Sequence, residues 1–174
     1  IMLGAIIGDM VGSPYEFHQW QGAAEAFPLF SPCSRFTDDT VMTVAVARGL
    51  MQAYGQEQAC REAFIDAMHE YGRAYSRAGY GQRFFRWIVT GSREPYNSFG
   101  NGSAMRVSPV GWACDSLEET ERYAALSASV THDHPEGIKG ACATAAAIFL
   151  ARDGAGRDAI RDYVSSRYGY DLAR

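Results

Sequence analysis

The run Phe36-Thr37-Asp38-Asp39-Thr40 sets two adjacent carboxylates between hydroxyls. Oxygen donors of this kind suit a hard divalent cation such as Mg²⁺, which takes few protein ligands and keeps several waters. The same residues also suit a helix start. Thr37 is a good N-cap, and Asp38 and Asp39 in the first turn would favour the helix dipole by about 0.3–1 kcal/mol each. On this run alone capping is the stronger reading. A second acidic stretch, Gly8-Asp9-Met10-Val11-Gly12-Ser13-Pro14-Tyr15-Glu16, puts Asp9 and Glu16 seven positions apart, with Pro14 ending or kinking any helix between them. An isolated acid is usually solvated or a cap.

Two further stretches offer backbone donors. In Tyr96-Asn97-Ser98-Phe99-Gly100-Asn101-Gly102-Ser103-Ala104-Met105-Arg106, the glycines free N–H groups to face a ligand, and a helix start near Ser103 would favour an anion. Asn101 and Arg106 could add side-chain donors. The alternative is a Gly-Asn-Gly turn capped by Ser103 with Arg106 on the surface. Gly79-Tyr80-Gly81 could be another loop over a phosphate or ribose, or an ordinary turn. In Thr131-His132-Asp133-His134-Pro135 the histidines are two apart, not at the four-residue spacing of a helical zinc pair. His134 or Asp133 is better placed as a helix cap, and His132 as a ligand contact. A Gly-x-Ser-x-Gly elbow and a Walker loop are both absent.

The elements that must position these residues read as helices. Leu3 to Val11 carries Gly4, Gly8 and Gly12 on one face. Glycine costs about 1 kcal/mol per helix position relative to alanine, so the stripe implies close packing or close approach of a ligand. Val41 to Met51, Gln56 to Tyr75 and a short Phe84 to Val89 follow at helical spacing, with Phe84, Phe85 and Trp87 expected in the core. Leu117 to Val130 starts behind Asp115 and Ser116, Pro135 opens a helix to about Arg152, and Arg157 to Tyr168 follows the break at Gly154 to Gly156. Ala78 to Arg83 and Pro95 to Arg106 read as loops. No alternating run is long enough to demand a sheet.

The 174 residues suit one domain, 1–174, and 47% hydrophobic with 21% charged residues argues against disorder. Sixteen basic and 20 acidic residues give a net charge of −4 without a basic cluster, so duplex nucleic acid is not an expected partner. The scattered Cys33, Cys60, Cys114 and Cys142 form no Cys-x-x-Cys pair and read as reduced core residues of a cytoplasmic protein. Ile1 to Ile7 is too short to be a membrane span, and no membrane partner is expected.

Taken together, the chain resembles the ADP-ribosylglycohydrolase family, also called ADP-ribosyl-acceptor hydrolases. The resemblance rests on Gly4-Ala5-Ile6-Ile7-Gly8-Asp9 with Glu16, Thr37-Asp38-Asp39-Thr40, Gly79-Tyr80-Gly81, Ser98 to Arg106, and Thr131-His132, in this order across nearly the whole chain. It implies a compact all-α domain with a two-Mg²⁺ centre, or Mn²⁺ in its place, at the bottom of a cleft. Thr37, Asp38 and Asp39 would be metal ligands, and Glu16 a ligand or a guide for water. Gly79, Tyr80 and Gly81 with Ser98, Phe99, Gly100, Asn101, Gly102 and Ser103 would cradle ADP-ribose, with His132 near the same pocket. No role is assigned to Asp9. Asp38, Asp39 and Glu16 form the expected catalytic set, for hydrolysis at the anomeric carbon through an oxocarbenium-like state.

The family completes its metal site with an Asp-x-Asp-Ser/Thr motif, and this sequence has no Asp-x-Asp. The chain ends at Tyr170-Asp171-Leu172-Ala173-Arg174 without a helix terminator and reads as truncated, with the C-terminal helices missing. A face left apolar by that absence would favour self-association. Rival readings are a non-catalytic ADP-ribose-binding module, a structural protein on a decayed enzyme fold, and a Mg²⁺ phosphoesterase releasing AMP. The acceptor stays open among arginine, serine, other side chains, a nucleic-acid base and a free metabolite.

Overall fold

Helix starts are marked by side chains that accept otherwise unpaired backbone N–H groups. Thr37 Oγ1 accepts from Asp39 N–H at 3.3 Å, Ser116 Oγ from Glu119 N–H at 3.2 Å, and His134 Nδ1 from Glu136 N–H at 3.1 Å. Glu119 reaches back to accept from Asp115 N–H at 3.1 Å, a reciprocal cap displaced by one residue. The computed structural model describes residues 2–17 and 28–172. Within them are eight α-helices and no strand: α1 (Leu3–Gly12), α2 (Asp38–Ala53), α3 (Glu57–Ala74), α4 (Gln82–Thr90), α5 (Ser108–Ala113), α6 (Leu117–Ser129), α7 (Pro135–Arg152) and α8 (Arg157–Tyr168). A single 3-10 turn at Asn101–Ser103 interrupts the long connection before α5.

The all-α expectation holds, and seven of the helices fall where periodicity and caps put them. The exception is α5, whose six residues include Pro109 and Gly111. Its propensity is poor, and burial of Ser108, Pro109, Val110 and Gly111 supports it in place of periodicity. The expectation of an unterminated C-terminal end is corrected: α8 closes at Gly169, in the left-handed region with φ 72°. Ala173 and Arg174 lie outside the described residues.

The core forms where α2 packs on α3 and α6 packs on α7, with α5 between α2 and α7. Met42 and Val46 of α2 are buried with Phe64, Ile65 and Met68 of α3. Full burial of side chains of this size contributes about 1.5–3 kcal/mol each. The turn before α3 is tied to α6, since Gly55 N–H donates to Tyr123 Oη at 2.8 Å and Tyr54 stacks on Tyr123 at 5.1 Å. Phe84 and Trp87 join the core as expected; Phe85 does not, being 40% exposed. Cys60, Cys114 and Cys142 are buried free thiols, whereas Cys33 is exposed, against expectation. An apolar groove of about 640 Å³ runs along α7 and α8, lined by Ala143, Ala147, Ile148, Ile160 and Val164 among others. No helix among the described residues is long and apolar enough to cross a membrane.

Of the two expectations for the glycine stripe of α1, close packing is not seen among the described residues. No described atom lies within 4 Å of where a Cβ would stand on Gly4, Gly8 or Gly12, so the stripe is not a close-packed face there. Its anchor is polar. Asp9 Oδ2 accepts from Thr37 N–H at 2.7 Å and from Thr40 N–H at 3.2 Å, and Asp9 Oδ1 accepts from Thr37 Oγ1 at 2.7 Å. The Thr40 hydroxyl also donates to Asp9 Oδ2. A carboxylate from a distant helix thus caps α2, where unpaired N–H groups and the positive end of the helix dipole favour an anion. Asp9→Ala should lower the unfolding free energy by about 2–3 kcal/mol, read as a reduced urea midpoint. Asp9→Asn should lose less, because the amide keeps one acceptor. An unchanged midpoint in both variants would remove Asp9 from this role.

Candidate active site

Capping by Asp9 fixes where the first turn of α2 points. Asp38 borders a cleft of about 420 Å³, and Asp39 borders an adjoining acidic pocket of about 340 Å³ with Asp9, Glu16 and Thr37. Gly8 and Gly12 line that second pocket, which gives the open stripe of α1 a place at the site. Thr37 is nearly buried and its hydroxyl donates to Asp9, so it caps the helix and lines the pocket together. Asp38 N–H donates to Ala78 O at 2.9 Å, which draws the Gly79–Gly81 loop against the same turn. Gly79 adopts φ 112°, where side chains are strained, and a Cβ there would stand 3.3 Å from Asp38 Oδ1.

Negative charge accumulates here. Burial, then the carboxylates of Asp39, Glu16 and Asp9, push the Asp38 carboxyl up to about 6. Asp39 is raised too, by burial and then by Asp9 and Glu16. Every ion pair among the described residues joins other side chains, so no basic group neutralises these four acids there. Oxygen-only donors, mutual repulsion and an open pocket match a hard cation. Among the described residues, however, no three His, Cys, Asp or Glu side chains converge as a metal cage.

The cleft beside this pocket has the opposite character. Gly100, Asn101 and Gly102 form one wall, with Gly81, Ser98 and His132 contributing to the rest. Asn101 lines both cavities. Arg83 and Arg106 also border the cleft. The Arg83 guanidinium lies 4.9 Å from the centre of the Tyr96 ring and donates to Tyr96 O. Arg106 is fully buried, which pulls its guanidinium down to about 10, leaving it cationic at neutral pH. Burial pushes the Tyr96 phenol up to about 12, so it stays neutral. Burial, then Arg106 and Arg83, hold the His132 imidazole down at about 3, so it is neutral too. Two cations, a neutral imidazole and glycine-freed backbone make a site for an anion.

The connection that builds this wall is pinned at several points. Asn97, at φ 52°, is held by its N–H donating to Asp133 Oδ1 at 2.7 Å. Ser103 Oγ donates to Gly137 O at 2.7 Å, anchoring the 3-10 turn to α7. A Cβ on Gly102 would lie 2.9 Å from His132 Nε2, so only glycine lets the wall approach that ring.

The sequence-predicted residues therefore divide. Glu16, Thr37 and Asp39 meet in the acidic pocket, while Asp38, Gly81, Ser98, Gly100, Asn101, Gly102 and His132 meet in the cleft. Gly79 and Tyr80 support it from behind, Tyr80 packing on Phe84 at 5.6 Å. Phe99 is 70% exposed beside His134, and Ser103 is buried with its hydroxyl committed to Gly137. The surface position weighed for Arg106 is corrected, as the side chain is 0% exposed. Gln82, Arg83 and Met105 line the cleft without being foreseen from sequence; Arg83 alone carries a signal, a cation just after a glycine loop.

The ADP-ribosylglycohydrolase family model matches residues 1–171. The chain is 31% identical to "ADP-ribosylhydrolase ARH3" of Mus musculus, over 88% of this chain and 48% of the relative. The Homo sapiens protein of that name is also 31% identical, over 88% and 49%. An "Uncharacterized protein" of Archaeoglobus fulgidus is 31% identical over 84% of this chain and 53% of its own length. The chain thus spans about half the length of the curated relatives it matches.

The depressed value at His132 makes a pH prediction. The unfolded chain protonates this residue near pH 6.5 and the folded chain only near 3, so acid favours unfolding across that window. The stabilisation is fully present above about 6.5 and is lost as pH falls toward 3, with a limiting slope of about 1.4 kcal/mol per pH unit. Urea unfolding at pH 7 and pH 5 should show a larger acid loss in the wild type than in His132→Gln. Equal losses would contradict it, as would ring NMR shifts of His132 that titrate between pH 5 and 8.

Proposed function

The chain belongs to the ADP-ribosylglycohydrolase family, and from that premise we propose that it carries the ADP-ribose cleft and part of the metal site of a Mg²⁺-dependent hydrolase. The bond cut is the glycosidic bond between ADP-ribose and an acceptor. The observation that carries this reading is the pairing of the two cavities, one acidic and one bordered by Arg83 and Arg106, meeting at Asn101. A diphosphate between two riboses needs an anion-accepting wall. A reacting anomeric carbon needs carboxylates within reach of its developing positive charge. Consecutive residues, Asp38 and Asp39, serve the two sides of that boundary.

Thr37, Asp38, Asp39 and Glu16 would hold Mg²⁺, with Mn²⁺ as a substitute, and water or further oxygen donors would complete its shell. When bound, the ion would orient ribose hydroxyls and polarise the leaving group. Glu16 is exposed at the rim of the acidic pocket, where it can orient the attacking water or accept its proton. Gly102 offers its N–H group to the diphosphate, Gly100 N–H being held by Ser98 Oγ at 3.3 Å, and His132, held neutral, offers hydrogen bonding without added charge.

A second reading has its own support. Without a three-ligand cluster among the described residues, the same cleft could hold ADP-ribose without cutting anything. The two part in experiment. Calorimetric titration of ADP-ribose should give binding in Mg²⁺ that weakens at least roughly tenfold in chelator. Asp38→Ala should abolish that Mg²⁺ dependence while the protein stays folded. Binding indifferent to chelator, with no ADP-ribose released from an ADP-ribosylated protein, would replace the hydrolase by a binding module. Release of AMP would indicate a phosphoesterase.

A further inference from the structure

Among the described residues Arg106 is the largest fully buried side chain, and no ion pair includes it. A buried charge without a counter-ion is costly, so its hydrogen bonds are informative. One terminal nitrogen, Nη2, donates to Ser127 O at 3.0 Å and to Thr131 Oγ1 at 2.8 Å, while Nε has no partner. A guanidinium is donor-only. Thr131 Oγ1 must therefore accept from Arg106 and direct its own proton elsewhere. Within reach is His132 Nδ1, 2.8 Å away. Donation of that proton to Nδ1 would make Nδ1 the acceptor with its lone pair, and in a neutral imidazole the ring proton then sits on Nε2. Nε2 is the nitrogen that faces the glycine wall of the cleft, 2.9 Å from where a Cβ on Gly102 would be.

We infer that Arg106, acting through the hydroxyl of Thr131, locks His132 as the Nε2–H tautomer, so that the cleft presents a fixed neutral donor to an oxygen of its ligand. Arg106 and Thr131 are positioning residues, since the one is buried at 0% exposure and the other is committed to Arg106 and His132. Burial first, and then the charges on Arg106 and Arg83, keep the ring unprotonated. A doubly protonated ring would make Thr131 Oγ1 accept from both Arg106 and Nδ1–H, and its own proton would have to turn to another acceptor. That the acceptor oxygen belongs to ADP-ribose rests on the function proposed above; the tautomer does not.

Long-range ¹H–¹⁵N NMR of the whole chain with labelled histidine reads the tautomer without ligand. The wild type and Thr131→Ser should show His132 with its proton on Nε2 alone. Thr131→Val, which keeps the shape and removes the hydroxyl, should show a mixture of tautomers or a different ring signature. In calorimetry, Thr131→Val should weaken ADP-ribose by about tenfold, and Thr131→Ser should restore it. Circular dichroism would show that both variants are folded; if Thr131→Val is not, the wild-type and Thr131→Ser spectra still decide the point. A wild-type ring protonated on Nδ1, or exchanging between tautomers, overturns the inference. So does a folded Thr131→Val that keeps both the wild-type ring signature and wild-type affinity. A locked Nε2–H ring in a wild type that binds no ADP-ribose leaves the tautomer standing and rejects the ligand assignment instead.

Discussion

The carboxylate of Asp9 holds the first turn of α2 from outside, through the backbone and hydroxyl groups of Thr37 and Thr40, and the geometry of the site depends on that hold. A helix N-terminus attracts an anion through its unpaired N–H groups and its dipole. The side chains of Asp38 and Asp39 cannot supply that anion and also remain turned toward open cavities. With Asp9 in the capping position, they are released to border the cleft and the pocket. The same turn receives the 79–81 loop through Asp38 N–H. One half-buried polar joint therefore sets two carboxylates and one loop at once.

Charge that water would otherwise scatter is thereby sorted by sign. Asp9, Glu16 and Asp39 line one pocket, two arginines border the cleft on the other side with Asp38 at its edge, and Asn101 lies between them. The acids do not collapse onto the arginines to form ion pairs. Arg106 is held back by Ser127 O and Thr131, and Arg83 by Tyr96. Keeping opposite charges apart in a half-buried site costs stability, and strain or unpaired charge of this kind is characteristic of functional sites.

Local rules made most of the framework readable. The caps at Thr37, Ser116 and His134 depend on residues two or three positions away, so residue type and position brought Thr37 out and narrowed the other two to Asp115 or Ser116 and Asp133 or His134. The helix at Ser108–Ala113 escaped because its residues are poor helix formers that tertiary burial supports. The same division runs through the site. The acidic pair and the glycine loop carry recognisable chemistry in their own sequence. The role of Asp9 depends on partners 28 and 31 residues away, and the depth of Arg106 on helix α6 packing over it. Thr37 shows how a choice posed by sequence can dissolve: capping and lining the pocket are carried out by one side chain.

The burial of Arg106 also constrains how the molecule assembles. Its Nη2 finds acceptors only when the segment 96–106 and the end of α6 have met, because Ser127 and Thr131 lie on the far partner. Halfway docking would leave a charge stripped of water and lacking acceptors, a state several kcal/mol uphill. Intermediate openings of this wall are thus sparsely populated, and the wall should exchange its amide hydrogens in concert with α6 instead of fraying as an independent loop. A loop rich in glycine, which on composition alone would be expected to be the floppiest part of the fold, is thereby drawn into the same cooperative unit as the core.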